Sequence, residues 1–171
     1  EIALAHQGKM WCSSTAAGPA LEGAGIYMGM PALGGAVRRV WLDGKDVKVE
    51  TVGNLPDAGI CGSGVIDAMA LLLKTGAVEE TGLLLEEYHD YTDYICEAGD
   101  DLAFRFGEKT LFTQKDVRAV QLAKAAICAG IRTLLHEAGL EPSDVERFVI
   151  AGGFGSHISV ENAAAIGLFP A

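Results

Sequence analysis

Residues 151–155 read Ala-Gly-Gly-Phe-Gly and directly follow the apolar run RFVI at 147–150. The apolar run is typical of a buried strand. Three of the four residues from 152 to 155 are glycine, whereas a simple turn needs one or two. Surplus glycines cost backbone entropy, so they mark positive φ or the close approach of another group. This junction therefore predicts a buried strand that ends either in backbone of positive φ or at a place where another group comes close.

The composition is that of a globular protein. The chain has 171 residues, of which 50% are hydrophobic, enough to bury the core of one domain or two small lobes. Its longest apolar stretch, at 65–73, is too short to span a bilayer. The first residues lack the features of a signal peptide, and we expect Glu1 to be the start of a fragment. These features predict a cytoplasmic protein with no membrane partner.

Charge and cysteine spacing exclude several classes of site. The formal net charge is -10 and the basic residues are scattered, which argues against nucleic acid as a partner. Neighbouring cysteines are more than thirty positions apart, so no zinc or iron–sulfur set is predicted. We expect buried thiols in a reducing compartment.

Strand signals dominate the first third of the chain. Residues 1–6 and 9–14 predict one hairpin, and 36–42 with 46–52 predict a second. A short helix is expected near 19–24. The first long helix is predicted from the run GICGSG at 59–64 to Gly76, with Ser63 as its N-cap. Asp67 is placed in its first turn, where the helix dipole accounts for the charge.

Helix signals dominate the second half. An irregular insertion is predicted near 78–112, with two short strands in 103–113. Thr113 and Asp116 form a capping box, and Gly139 ends the helix that follows. Seven apolar residues define its buried face: Val117, Val120, Ile127, Cys128, Ile131, Leu134 and Leu135. A strand at 147–151 and a final short helix capped by Ser159 complete an α/β pattern, in which 9–14, 36–42 and 147–151 share one sheet.

Three glycine clusters lie at strand ends or helix starts: AAGPALEG at 16–23, GICGSG at 59–64 and AGGFG at 151–155. The first turn of a helix offers unpaired amides to an anion. Each cluster has an ordinary alternative as a tight connection. None fits the G-x-G-x-x-G or P-loop spacing.

Two polar side chains also draw attention. Lys124 falls inside the apolar stripe of the long helix. Either its alkyl stem packs on the core while the amine reaches solvent, or the amine points into a cleft. His157 is the histidine nearest a glycine cluster, and a surface role is its simpler interpretation.

Four separated motifs carry a resemblance to a known family: CSSTAAGPALEGAGI, GICGSGVIDA, TQKDVRAVQLAKAAICAGI and VIAGGFGSHISVENAAAIGLFP. In this order they resemble the C-terminal lobe of the reductive activators of corrinoid proteins. These activators belong to the superfamily of acetate and sugar kinases, heat-shock chaperones and actin. The resemblance implies that the whole chain, 1–171, is a single ribonuclease-H-like lobe of a two-lobed ATPase.

The resemblance also implies a function. Such activators use ATP with Mg²⁺ to help return a corrinoid cofactor to its cob(I) state, and an iron–sulfur domain elsewhere in the protein supplies electrons. The chain would then act with a corrinoid protein and with the remaining lobe and electron-transfer domain; a homodimer stays open. The residues expected to contact nucleotide are Gly18, Glu22, Gly62, Ser63, Lys124, Gly152, Gly153 and Phe154.

The sequence departs from the family in one important respect. The second phosphate-binding turn, of Asp-x-Gly-Thr type, is absent from these residues, as are the first lobe and the cluster-binding cysteines. We therefore expect the fragment to be inactive alone, with ATPase activity only in the complete protein. The alternative is a non-catalytic docking or dimerisation module. A small-molecule kinase is less favoured because no Asp is placed as a base.

Overall fold

The structure is a computed structural model that describes residues 1–87 and 90–170. Positions 88 and 89, within the predicted insertion, lie outside the described residues. The strands are β1 Ile2–His6, β2 Lys9–Ser13, β3 Ala36–Asp43, β4 Asp46–Thr51, β5 Gly59–Ile60, β6 Ile95–Ala98, β7 Asp101–Phe106 and β8 Thr110–Thr113. The α-helices are α1 Gly62–Thr75, α2 Gln114–Ala138 and α3 Val160–Ala165. The chain is mixed α/β, as predicted.

Both predicted hairpins are confirmed. β1 pairs with β2 and β3 pairs with β4, each antiparallel. Gln7 and Gly8 both have positive φ, at 47° and 74°, as the tight turn of a two-residue hairpin requires. The predicted short helix is a 3-10 turn at Ala20–Glu22. These elements depend on neighbouring residues, which is why sequence patterns locate them.

The predicted shared sheet is wrong. The described strands form three sheets, in the orders β1-β2, β4-β3-β5 and β6-β7-β8. Residues 147–151 form no strand, and Phe148 and Val149 are 50% and 70% exposed. Val120 and Ile131 are buried as predicted, but Val149 does not join them. A strand needs a neighbour along its hydrogen-bonding edge, and none of the described residues supplies one for 147–151.

The first long helix is confirmed with one correction to its N-cap. α1 is buried from Gly62 to Leu72 and ends at Gly76, whose φ of 78° is left-handed. Its N-cap is Cys61, not Ser63. The Ser63 hydroxyl donates to the Arg38 carbonyl at 2.9 Å, so it bonds across to β3 instead of capping its own helix.

The capping box of α2 is confirmed. The amide of Asp116 donates to the Thr113 hydroxyl at 3.2 Å, and the amide of Thr113 donates to the Asp116 carboxylate at 2.7 Å. Gly139 ends the helix with a φ of 70°. Five of the seven predicted face residues are buried, whereas Ile127 and Cys128 are half-buried. The predicted cap of α3 is also present, because Ser159 accepts from the amide of Asn162.

The segment predicted as an irregular insertion is more regular than expected. The two strands expected in 103–113 are present as β7 and β8, and β6 adds a third strand that the sequence analysis missed. Phe104, Phe106 and Phe112 are fully buried and belong to the same core cluster as α1. This sheet is therefore part of the main core.

Candidate functional site

Parts of the three glycine clusters meet at one cleft of about 650 Å³. This cleft is within the size range of small-molecule sites. Five of the predicted nucleotide-contacting residues line it: Glu22, Gly62, Ser63, Gly153 and Phe154. The fold thus brings together three segments that are separated by 35 and 86 residues in the sequence.

The other three predicted residues do not line this cleft. Gly18 and Gly152 are exposed, and both have positive φ, at 66° and 97°, which by itself accounts for glycine there. Lys124 is half-buried on α2, and its Nζ lies 3.2 Å from the position that a Cβ of Gly167 would occupy. Their contact with a ligand stays a prediction.

Internal packing explains the glycines at the start of α1. A Cβ on Gly62 would lie 2.0 Å from the Leu21 carbonyl oxygen, and a Cβ on Gly64 would lie 2.2 Å from the Val37 carbonyl oxygen. The Phe154 ring also covers Gly62, with Cε2 at 2.9 Å from that Cβ position. The tight-connection interpretation therefore accounts for these two glycines. Gly62 and Ser63 still bring first-turn amides of α1, which lack intrahelical acceptors, to the cleft.

Gly153 is different, because nothing in the described part of the chain explains it. Its φ is not positive, and a Cβ added to it would meet no atom within 4 Å. It lines the cleft. A glycine with neither a conformational nor a packing reason, facing a cleft, is what the close approach of a ligand would produce.

The loop around Gly153 is held by its own side chains. The Gly153 carbonyl accepts from the Ser156 hydroxyl at 2.9 Å. Nδ1 of His157 lies 2.8 Å from the same carbonyl oxygen and 2.9 Å from the Ser156 hydroxyl. Sequence analysis placed His157 near the site but did not identify this role. The side chains fix the orientation of the Gly153 peptide plane.

The opposite part of the lining comes from two consecutive arginines that sequence analysis missed. Arg38 and Arg39 both line the cleft, although successive side chains of a regular strand point to opposite faces. The pairing of β3 with β4 shifts register between Val37 and Arg39, and such a bulge re-aims side chains. Ser63 satisfies the Arg38 carbonyl inside this irregular segment.

A buried carboxylate orients Arg39. Asp67, on α1, is 1% exposed and accepts from Nε of Arg39 at 3.0 Å. It also accepts from the Val40 amide at 3.2 Å and from the Asn162 side chain at 2.6 Å. Asp67 follows the first turn of α1, so the expected dipole explanation is wrong. Its charge is compensated by tertiary hydrogen bonds that join β3, α1 and α3.

The charged side chains in the cleft are already balanced. Arg38 forms an ion pair with Glu50, and Arg39 pairs with Asp67. Glu22 is exposed and also lines the cleft. Since each guanidinium already faces a carboxylate, the side chains of this cleft present no surplus of positive charge.

Two carboxyl groups outside the cleft have shifted pKa values. Burial acts to raise the pKa of Asp57, but the hydrogen bonds from the amides of 108–110 and the Thr110 hydroxyl outweigh it and lower the pKa. For Asp116 the balance is reversed. Burial raises its pKa, and the hydrogen bonds from the amides of Thr113 and Tyr27 offset only part of that effect.

Two other kinds of feature are absent from residues 1–87 and 90–170. No three His, Cys, Asp or Glu side chains there are grouped to hold a metal ion. No helix in the same residues is long and apolar enough to cross a membrane.

Known proteins match this chain over nearly its whole length. Residues 1–171 match the family described as the C-terminal domain of RACo, the ASKHA domain. The corrinoid activation enzyme RamQ of Eubacterium limosum is 39% identical, over 99% of this chain and 31% of that protein. The [Co(II) methylated amine-specific corrinoid protein] reductase of Methanosarcina barkeri is 30% identical, over 99% of this chain and 33% of that protein.

A solved structure with a similar fold indicates the same family. A solved structure of a reductive activator for corrinoid, iron–sulfur protein matches with a TM-score of 0.82 and 38% identity, over 91% of this chain and 26% of that one. The match confirms the predicted resemblance and fold class. The chain spans about a third of the length of the two curated relatives. It belongs to the family of C-terminal ASKHA domains of the reductive activators of corrinoid proteins.

Proposed function

We propose that this chain is the nucleotide-binding lobe of an ATP-dependent reductive activator of corrinoid proteins. The observation that carries the proposal is Gly153, which lines the cleft and has no Cβ although neither φ nor packing forbids one. The names of the relatives support the corrinoid protein as the partner. The match to an ASKHA domain supports ATP as the ligand.

Within the cleft, the proposed ligand lies against the backbone of Gly153 beneath Phe154. The Phe154 ring is 38% exposed, so it offers an apolar face to a base. Glu22 accepts hydrogen bonds from ribose hydroxyls, because an ionised carboxylate is an acceptor only. The first-turn amides of α1, at Gly62 and Ser63, suit the polar end of the nucleotide.

The proposed reaction needs more than this chain. Phosphoryl transfer depends almost wholly on positioning of the phosphates and Mg²⁺, and we assign that task to the remaining lobe of the protein. Electrons for reduction of the corrinoid cofactor come, in this proposal, from an iron–sulfur domain in the same protein. This lobe contributes the nucleoside side of a divided site.

The proposal is tested by Gly153→Val in the full-length protein. Within residues 1–87 and 90–170, apart from its two chain neighbours, no atom lies within 4 Å of the new Cβ, so we expect nearly unchanged thermal stability. It projects into the space assigned to the nucleotide, so we expect ATP binding to be lost in calorimetry. Ala125→Val, on the exposed surface of α2, is the matched control and should retain wild-type affinity.

The same experiment discriminates between this proposal and the docking-module alternative. A folded Gly153→Val protein with wild-type ATP affinity would show that the nucleotide does not bind against Gly153. A wild-type protein that binds its corrinoid partner but no ATP would favour the docking module.

A further inference from the structure

Arg39 has an unusual environment for a side chain on a surface strand. Its Nε is fixed by Asp67, which is 1% exposed, while 53% of the Arg39 side chain remains exposed. Among residues 1–87 and 90–170, no hydrogen-bond partner faces its two terminal nitrogens. The Nε edge of the guanidinium is thus held by Asp67, while its terminal nitrogens remain available to a ligand. An anchored side chain loses less entropy when a ligand binds.

The anchoring is built from three elements. The bulge in β3 brings Arg39 to the same cleft as Arg38. The Ser63 hydroxyl holds the bulge by donating to the Arg38 carbonyl. Asn162, in the helix that follows the AGGFG loop, donates to the same buried carboxylate that holds Arg39. The position of the guanidinium is therefore tied to that of the loop that carries Gly153.

The surroundings favour a planar, uncharged group over a phosphate. Leu21, Val52 and Phe154 supply apolar lining to the same cleft. The positive charge of Arg39 is already compensated by Asp67 and that of Arg38 by Glu50, and Glu22 adds negative charge to the lining. A compensated guanidinium is a poor counter-ion for a triphosphate, but its flat face can still stack on a ring.

We propose that Arg39 is the specificity-determining residue for the nucleobase, stacking its guanidinium on the purine, and that Asp67 positions it. This inference rests on the nucleotide-binding function proposed above and deepens it. It assigns base selection to Arg39 in β3, whereas Gly153 in the AGGFG loop allows the nucleotide to approach the backbone closely.

The test is Arg39→Lys in the full-length protein, with ADP and UDP as probes. Lysine keeps the charge but lacks the plane. ADP and UDP share the ribose and phosphates, so the ratio of their affinities reports on the base alone. Loss of stacking on the larger ring of adenine should reduce the preference for ADP over UDP about tenfold. Arg105→Lys, the same change on an exposed residue outside the cleft, should leave the ratio unchanged.

The outcomes separate the two proposals. If Arg39→Lys and Arg39→Gln leave the ADP to UDP ratio at the wild-type value, Arg39 does not read the base and this inference fails alone. It also fails alone if Arg39→Gln weakens both nucleotides equally and Arg39→Lys restores them, because that pattern indicates a charge contact with phosphate. A wild-type protein that binds neither ADP nor ATP overturns the nucleotide-binding function itself.

Discussion

At the scale of single residues, buried carboxylates join separate parts of the chain by hydrogen bonds, and their sequence context does not reveal this role. Asp57 is 7% exposed and accepts from the amides of Glu108, Lys109 and Thr110 at 3.1, 2.8 and 2.7 Å. It also accepts from the Thr110 hydroxyl at 2.8 Å. These bonds join the loop before β5 to the turn between β7 and β8. A single side chain thus connects two of the three sheets.

Asp57 gives a prediction about pH. Its folded pKa is lowered, so its stabilising effect is complete above about pH 4, the pKa of an unfolded aspartate, and is lost as the pH falls through the folded pKa. Asp57→Asn should lower the free energy of unfolding by about 2 kcal/mol at pH 7. Urea denaturation of both proteins at several pH values should show this difference shrink below about pH 4.

The exposed Asp100 offers a matched control, since Asp100→Asn should have little effect at any pH. A difference between wild type and Asp57→Asn that stays constant from pH 7 to about pH 3 would contradict the assigned cause.

The AGGFG pattern identifies a glycine cluster but does not separate the reasons for its individual glycines. The positive φ of 97° accounts for Gly152, whereas the contact of Gly153 with a nucleotide stays a prediction. Arg39 was missed because two adjacent arginines in a hairpin resemble an exposed strand. The available signal was the broken alternation of AVRRVWL, where Val37 and Val40 are both buried and a regular strand would put them on opposite faces.

At the scale of elements, turns and helix caps, which involve residues close together in the sequence, were predicted correctly. Strands that depend on pairing with another strand were not. The turn Gln7-Gly8 and the capping box of α2 involve residues within a few positions of one another, so the sequence patterns located them. The strand predicted at 147–151 depends on a neighbouring strand, which the described residues do not supply. The same limit applies to the irregular interpretation of 95–98, since β6 exists through its pairing with β7.

The capping box makes an element-scale prediction. Thr113 is 2% exposed, and its hydroxyl accepts from the Asp116 amide. Thr113→Ala removes the side-chain acceptor in that bond, so we expect a loss of about 1 kcal/mol in the free energy of unfolding. Thr133→Ala, at an exposed position in the C-terminal third of the same helix, should be neutral or slightly stabilising because alanine has the higher helix propensity. Denaturant unfolding measures both, and equal effects at 113 and 133 would count against the cap.

At the scale of the whole molecule, α1 connects the hydrophobic core to the cleft that we propose binds the nucleotide. The apolar residues of this helix between Val65 and Leu72 belong to the core cluster that includes residues of β7 and β8. Its first residues line the cleft, and Asp67 links it to β3 and α3. The AGGFG loop and the arginines of β3 are therefore fixed to the same rigid element. A change that loosens α1 should disturb both walls of the cleft together.

We expect this chain to be catalytically inactive when it is alone. It holds the proposed nucleoside side of the site, whereas the phosphate-binding turn expected from the family resemblance is absent from its sequence. Loss of one preorganised donor commonly costs about a hundredfold or more in rate, and several are missing here together. We therefore expect residues 1–171 to hydrolyse ATP no faster than background, and the full-length protein to show Mg²⁺-dependent turnover. Phosphate release from ATP measures the activity of both proteins, and Gly153→Val is the control for site-specific hydrolysis. Robust turnover by residues 1–171 would contradict this prediction, because it would mean that the site is complete within this lobe.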